Sequence, residues 1–194
     1  MYVRDARNRD EAWLLDHIEA MGLDETAFRS RDYVIAVDEE SNARAGFGRI
    51  RIHTGEPEAC ELTSIGVLDG WRGQGVGAHV VERLVDSAAA KGFDRVYALT
   101  STHDYLGQFG FEAVAAEELP VQLRRRLEEK REELDPEAVP MEVETDAFRM
   151  PDRLRERFKR AAEVADEPDP EPEEIAEDFG IDPDEATYKY DTGR

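Results

Sequence analysis

Residues 60–78, CELTSIGVLDGWRGQGVGA, decide how the rest of the chain is read. Leu62, Ile65 and Val67 give the first half the apolar, β-favouring character of a strand. Asp69-Gly70 interrupts it. Arg72-Gly73-Gln74-Gly75-Val76-Gly77 is a glycine-rich loop, and Ala78 to Ala90 reads as a helix. The first turn of a helix presents free N–H groups and the positive end of its dipole, and glycines let a ligand come close to the backbone. The spacing therefore predicts a seat for a phosphate-bearing cofactor.

Working outward, Tyr33–Val37 and Ala45–His53 are strands with short polar connections, so with the Cys60 strand they form an antiparallel meander. A dinucleotide loop would follow the first strand of a parallel sheet with GxGxxG spacing. Here the loop follows a meander and is spaced RxxGxG, and no Gly-Lys-Ser/Thr of a Walker loop occurs. After the helix, Arg95–Thr100 is another strand, which makes residues 61–100 a βαβ crossover with its two strands parallel. Upstream, Met1–Arg4 is a short edge strand. Asn8–Met21 is a helix with Leu14, Leu15, Ile18 and Met21 on one face, and Asp24 caps a short second helix. Downstream come a turn or short helix over 101–108, a strand from Gly110, a charged helix over Val121–Glu133, a last strand near Val139–Val143 and a helix over Pro151–Val164.

The 194 residues, 40% of them hydrophobic, suit one core domain with an extension. A net charge of −21 argues against nucleic acid and against anionic membranes as partners. Only four lysines occur, Lys91, Lys130, Lys159 and Lys189. Many carboxylates with few lysines match the proteome style of extreme halophiles; the alternative is an acidic tail on an ordinary domain. From Glu163 to Ala186 acidic residues and four prolines dominate, which predicts a largely disordered tail. The expected layout is a domain over 1–145, a C-terminal helix over 146–165 and the tail over 166–194. Cys60 is the only cysteine, so no intrachain disulfide and no cysteine metal site is expected, and its apolar strand suits a buried thiol. His17 and His53 have no metal-ligand spacing, and no metal is assigned. The N-terminus lacks an apolar signal core and no run reaches membrane-span length, so a cytoplasmic location is expected.

RGQGVGAH, after the ELTSIGVL strand and before LGQFGF at 106–111, resembles the GNAT acyltransferase superfamily. Arg72-x-x-Gly75-x-Gly77 matches its acetyl-CoA pyrophosphate loop. The resemblance covers residues 1–145, is specific at 60–111, and implies an α+β GNAT fold: a mixed sheet of meander plus splayed parallel pair, flanked by helices. It implies acetyl-CoA as co-substrate, contacted by Ile65, Gly66 and Val67 on the strand and by Arg72, Gly73, Gln74, Gly75, Val76, Gly77 and Ala78 on the loop. The Val67 N–H would face the thioester carbonyl and stabilise the oxyanion. Direct transfer to an amine needs a general base. Glu61 resembles the strand-borne glutamate of histone-type members; the alternative is a pleat-exposed surface residue. The usual leaving-group acid, a tyrosine four residues before the glycine of the GF pair, is replaced by Leu106. Tyr105 lies one place earlier and is the candidate acid, with protonation by water as the alternative. His79 is expected to pack the cofactor helix.

Leu99-Thr100-Ser101 and Glu118-Leu119-Pro120 resemble the acetyltransferase domain of N-acetylglutamate synthases. That likeness implies a small amino-acid-like amine as acceptor. Arg49 and Arg51 are candidates to hold its carboxylate, or they merely offset surface acids. A protein lysine or N-terminal acetyltransferase and a non-catalytic CoA-binding or interaction module stay open, as does a homodimer.

Overall fold

In a computed structural model, residues 1–162 are described. Seven strands form one sheet in the order β1-β2-β3-β4-β5-β7-β6. β1 (Tyr2–Asp5), β2 (Tyr33–Val37), β3 (Arg44–His53) and β4 (Ala59–Val67) pair antiparallel, which is the expected meander plus its edge strand. β4 and β5 (Arg95–Thr100) run parallel, joined through α2 (Val76–Ala90). β7 (Val139–Glu144) inserts between β5 and the two-residue β6 (Glu112–Ala113), antiparallel to both.

Side-chain alternation assigns the helices to faces. Cys60 and Leu62 of β4, with Ile50 of β3, point toward α2 and its Val80, Val81 and Leu84. Burial among these groups pushes the Cys60 thiol up to about 12, so it stays protonated and inert. On the other face, α1 (Glu11–Ala20) buries Leu14 and Ile18 against Tyr33, Ile35 and Phe47. α4 (Val121–Glu133) buries Leu123 and Leu127 against Ala59, Tyr97 and Leu99. α3 (His103–Gly107) is the short helix expected after β5, and α5 (Asp152–Lys159) joins the α2 face through Leu154 and Phe158. Asp10, fully buried, ties β1 and β3 together by accepting from Arg4 at 2.7 and 3.1 Å and from Arg44 at 3.0 Å.

Two local expectations are corrected. Asp24 does not cap a helix: residues 24–29 carry no helix, and a 3-10 turn at Ser30–Asp32 leads into β2. Its Oδ1 accepts from the Thr26 N–H at 2.9 Å, while Oδ2 faces arginines. The α5 helix stops at Lys159 rather than at Val164. The expected tail over 166–194 lies outside the described residues. Among the described residues no helix is long and apolar enough to cross a membrane.

Candidate active site

Two strands that begin paired and then part create the site. β4 and β5 are in register only at Glu61–Tyr97 and Leu62–Ala98. Beyond Leu62 the β3–β4 register shifts between Phe47 and Arg49, and Ser64 takes φ +50°. This bulge bends β4 away from β5. It is held by the Ser64 hydroxyl, which donates to the Asp24 carbonyl at 2.6 Å. The opened space is a cleft of about 1370 Å³. Its walls include Thr63–Val67 of β4, Ala98–Thr100 of β5, the loop residues Arg72, Gly73, Gly75, Val76 and Gly77, Tyr105 of α3 and Lys130 of α4.

The residues fit CoA on two observations. The β4 backbone from Thr63 to Val67 faces the cleft without a β5 partner, so a pantetheine arm can pair with it. At the phosphate end, the first turn of α2 opens at Gly75, whose φ of +81° suits glycine. A Cβ on Gly77 would stand 3.1 Å from the Tyr105 hydroxyl and 3.3 Å from Val67 Cγ2, so the missing side chain there keeps the mouth open. Of the expected cofactor residues, Ile65, Gly66, Val67, Arg72, Gly73, Gly75, Val76 and Gly77 line the cleft. Ala78 is buried behind it, and the Gln74 side chain turns to the segment after α5, donating to the Ala162 carbonyl at 2.8 Å.

Tyr105 stands on the cleft side while Leu106 fills the core. Its ring packs edge-on against Phe109, and burial raises its pKa, which favours the protonated form a proton donor needs. His79 packs as expected, stacked on Phe158 with ring centroids 3.8 Å apart.

Next to the cleft, under α4, lies a polar cluster of which the sequence singled out Glu61, Arg49 and Arg51. Glu61 is 0% exposed, so the surface reading of this residue is excluded. Its Oε2 sits 2.7 Å from His53 Nε2 and 3.6 Å from Arg126 Nε, and its Oε1 is buried without a hydrogen-bond partner among the described residues. Burial alone would raise its pKa, but the His53 hydrogen bond and the charges of Lys130 and Arg126 outweigh that and hold it below the usual carboxylate range. Asp24 is the second anion, bridging Arg126 at short range, Arg49 at 3.4 Å and Arg51 at 3.7 Å.

The two expected acceptor arginines separate here. Arg49, 1% exposed, donates to the Thr26 carbonyl at 2.8 Å and lies over the Tyr33 ring, so it anchors the loop after α1 and is closed off from the surface, although its buried Nε has no hydrogen-bond partner among the described residues. Arg51 is 22% exposed, and its buried Nη1 has no hydrogen-bond partner among the described residues. Burial, then the neighbouring Arg126, pushes its pKa down. Lys130 lines the cleft itself, and burial likewise depresses its pKa, against the pull of Glu61. Arg126 and Lys130 were legible only as members of a charged helix. They nevertheless stand at i+3 and i+7 from Leu123, on the stripe that faces the sheet, and that placement was the available signal.

A sheet splayed by a bulge beside a helix-opening glycine loop is an arrangement into which an acyl-CoA fits, the class of site found in acyltransferases of this fold. The model of the acetyltransferase (GNAT) family matches residues 2–111, and the chain belongs to that family. That family is one of acetyltransferases. Among solved structures, N-acetylglutamate synthase from Neisseria gonorrhoeae, complexed with coenzyme A and N-acetyl-glutamate, is similar at 19% identity and a TM-score of 0.60. The match covers 74% of this chain but only 34% of the synthase, so this chain spans about a third of that protein. Rv2747 from Mycobacterium tuberculosis, in complex with CoA and NLQ, is similar at 15% identity and a TM-score of 0.63, covering 74% of this chain and 99% of that one. A GNAT-family acetyltransferase from Staphylococcus aureus is similar at 12% identity and a TM-score of 0.54, with 74% and 98% covered.

Proposed function

We propose that the protein transfers acetyl from acetyl-CoA to the primary amine of a small carboxylate-bearing molecule, an amino acid or close analogue, by direct attack in a ternary complex. The observation that carries this reading is the charge of the cluster beside the cleft. Four cations, Arg49, Arg51, Arg126 and Lys130, gather around two buried acids, Asp24 and Glu61, in a protein whose net charge is −21. Buried cations need anionic partners, and unmade hydrogen bonds from a buried guanidinium are costly. A carboxylate held by Arg51 and Lys130 would supply what the cluster lacks and place the amine near the splayed strand. An acetylated acidic amino acid in the Neisseria synthase is a ligand of the same chemical kind.

Bound acetyl-CoA supplies an acetyl group on a thiolate leaving group. The Val67 N–H donates to the acyl oxygen as negative charge builds there. Glu61, buried behind the cleft wall, takes the proton released as the new C–N bond forms on its unpartnered Oε1, reached through one bridging water. Tyr105 gives its phenolic proton to the sulfur as the C–S bond breaks. Protonation by solvent at the sulfur is the alternative to Tyr105.

Arg51→Ala tests the acceptor assignment. A lost hydrogen bond to a charged group is worth about 1.5–3 kcal/mol, so KM for a carboxylate acceptor is expected to rise about tenfold or more while KM for acetyl-CoA stays unchanged. Steady-state kinetics with each substrate varied in turn measures both. An unchanged acceptor KM removes Arg51 from the site.

A further inference from the structure

We propose that α5 is a working part of the cofactor site and that Arg153 and Arg157 hold phosphate groups of CoA; this rests on reading residues 72–78 as the phosphate loop. The helix lies outside the segment that matches the family model, which ends at residue 111. It is nevertheless fastened to that loop at several points. Gln74 and Ala162 exchange two hydrogen bonds, at 2.8 and 3.0 Å. Arg157 Nη1 donates to the Gly73 carbonyl at 3.2 Å. Phe158 stacks on His79 in the first turn of α2, and the Leu154 carbonyl fills the space where any side chain on residue 75 would begin. Gly75 is therefore the residue that lets α5 approach, and α5 fixes the shape of the loop.

The charges point the same way. Arg153 and Arg157 line the cleft together with Arg72. Arg72 is paired with Asp69 at 2.9 Å, so much of its charge is already answered. Arg153 is held instead by a neutral group, the Gln108 side-chain oxygen at 2.6 Å, and Arg157 by the Gly73 carbonyl. Neither has an acidic partner among the described residues, whereas Arg155, on the same helix, is taken by Glu82 at 2.5 Å. A strongly acidic protein repels a polyanionic ligand over long range. Two guanidinium groups with uncommitted donors at the phosphate end offset that locally, and their forked donors suit phosphate oxygens.

The test is calorimetric binding of CoA to the full chain carrying Arg153→Gln and Arg157→Gln together, at the lowest salt at which circular dichroism shows both proteins folded. CoA is expected to bind about tenfold or more weaker than to the native chain, with the gap narrowing in molar salt as exposed charges are screened. S-acetyl-pantetheine, which has no phosphate, is expected to bind both proteins equally. Unchanged CoA affinity overturns the proposal, and so does tighter binding, which would make α5 an obstacle to the cofactor. An equal loss with the phosphate-free thioester also overturns it, because the arginines would then act on the shape of the cleft. Gly77→Glu separates the two readings: if it keeps CoA, the loop assignment fails, and if it loses CoA while the double variant keeps it, only the role of α5 fails.

Discussion

Gly77→Glu removes CoA binding and leaves the domain folded. The new side chain would start between the Tyr105 hydroxyl and Val67, inside the mouth of the cleft, with neighbours at 3.1 and 3.3 Å that can give way. A carboxylate in the first turn of a helix is favourable to the helix dipole, so α2 (Val76–Ala90) is not weakened. The same side chain fills the mouth through which CoA must lie, and its carboxylate repels the ligand's phosphates. Two unit charges about 4 Å apart at an effective dielectric constant of about 20 repel by about 4 kcal/mol, and even part of that lowers affinity more than about 100-fold. Titration calorimetry with CoA, beside a thermal melt, reads both effects. Affinity within a few-fold of the native value would remove the loop from the cofactor site. Gly75 is the poorer place for this experiment: with φ at +81° and the Leu154 carbonyl against it, any side chain there strains the backbone and pushes α5 away, mixing two causes.

Glu61→Gln is expected to lower kcat about 100-fold near neutral pH, within the range of a lost general base. The loss should shrink as pH rises. In the native protein the carboxyl is held ionised below its usual range by His53, Lys130 and Arg126, so a proton acceptor is present throughout the assay range. Without it, the reaction depends on amine that is already neutral in solution, and that fraction grows about tenfold per pH unit below the amine pKa. Acetyl-CoA affinity should hold, because Glu61 is not among the groups lining the cofactor cleft. The rival outcome is a loss of equal size at every pH, which would assign Glu61 the positioning of His53 and Arg126 instead. The amide also leaves Arg126 and Lys130 poorly answered, so the melting temperature should fall in either case, and the pH profile is what separates base from positioning residue.

The parts legible in the sequence are those set by local pattern. Strand alternation located the meander, and Arg95–Thr100 and Val121–Glu133 coincide with β5 and α4. Glycine spacing located the loop. The unread parts depend on contacts between distant residues. Nothing local ties Ala162 to Gln74, 88 residues away, so α5 read as an appendage. Asp24 looked like a cap because a polar residue before a short run usually is one; its partners, Arg49 and Arg126, come from β3 and α4. Arg49 and Arg51 are alike in pattern, yet Arg49 is buried against the Thr26 carbonyl while Arg51 stays 22% exposed, a difference only the packed structure displays. His53, read for metal spacing alone, proved to be the hydrogen-bond partner of Glu61.

The most direct test of the acceptor assignment is release of CoA thiol from acetyl-CoA by the native protein, with single amino acids set against their decarboxylated amines, polyamines and short peptides in a salt series reaching molar concentration. Because the cations that receive the carboxylate are partly buried, salt should weaken the preference less than it would for surface charges. The expected result is turnover of an amino acid at a kcat/KM at least about tenfold above that of its decarboxylated amine. Equal rates for the pair, or turnover of peptides alone, would contradict a carboxylate-bearing small acceptor.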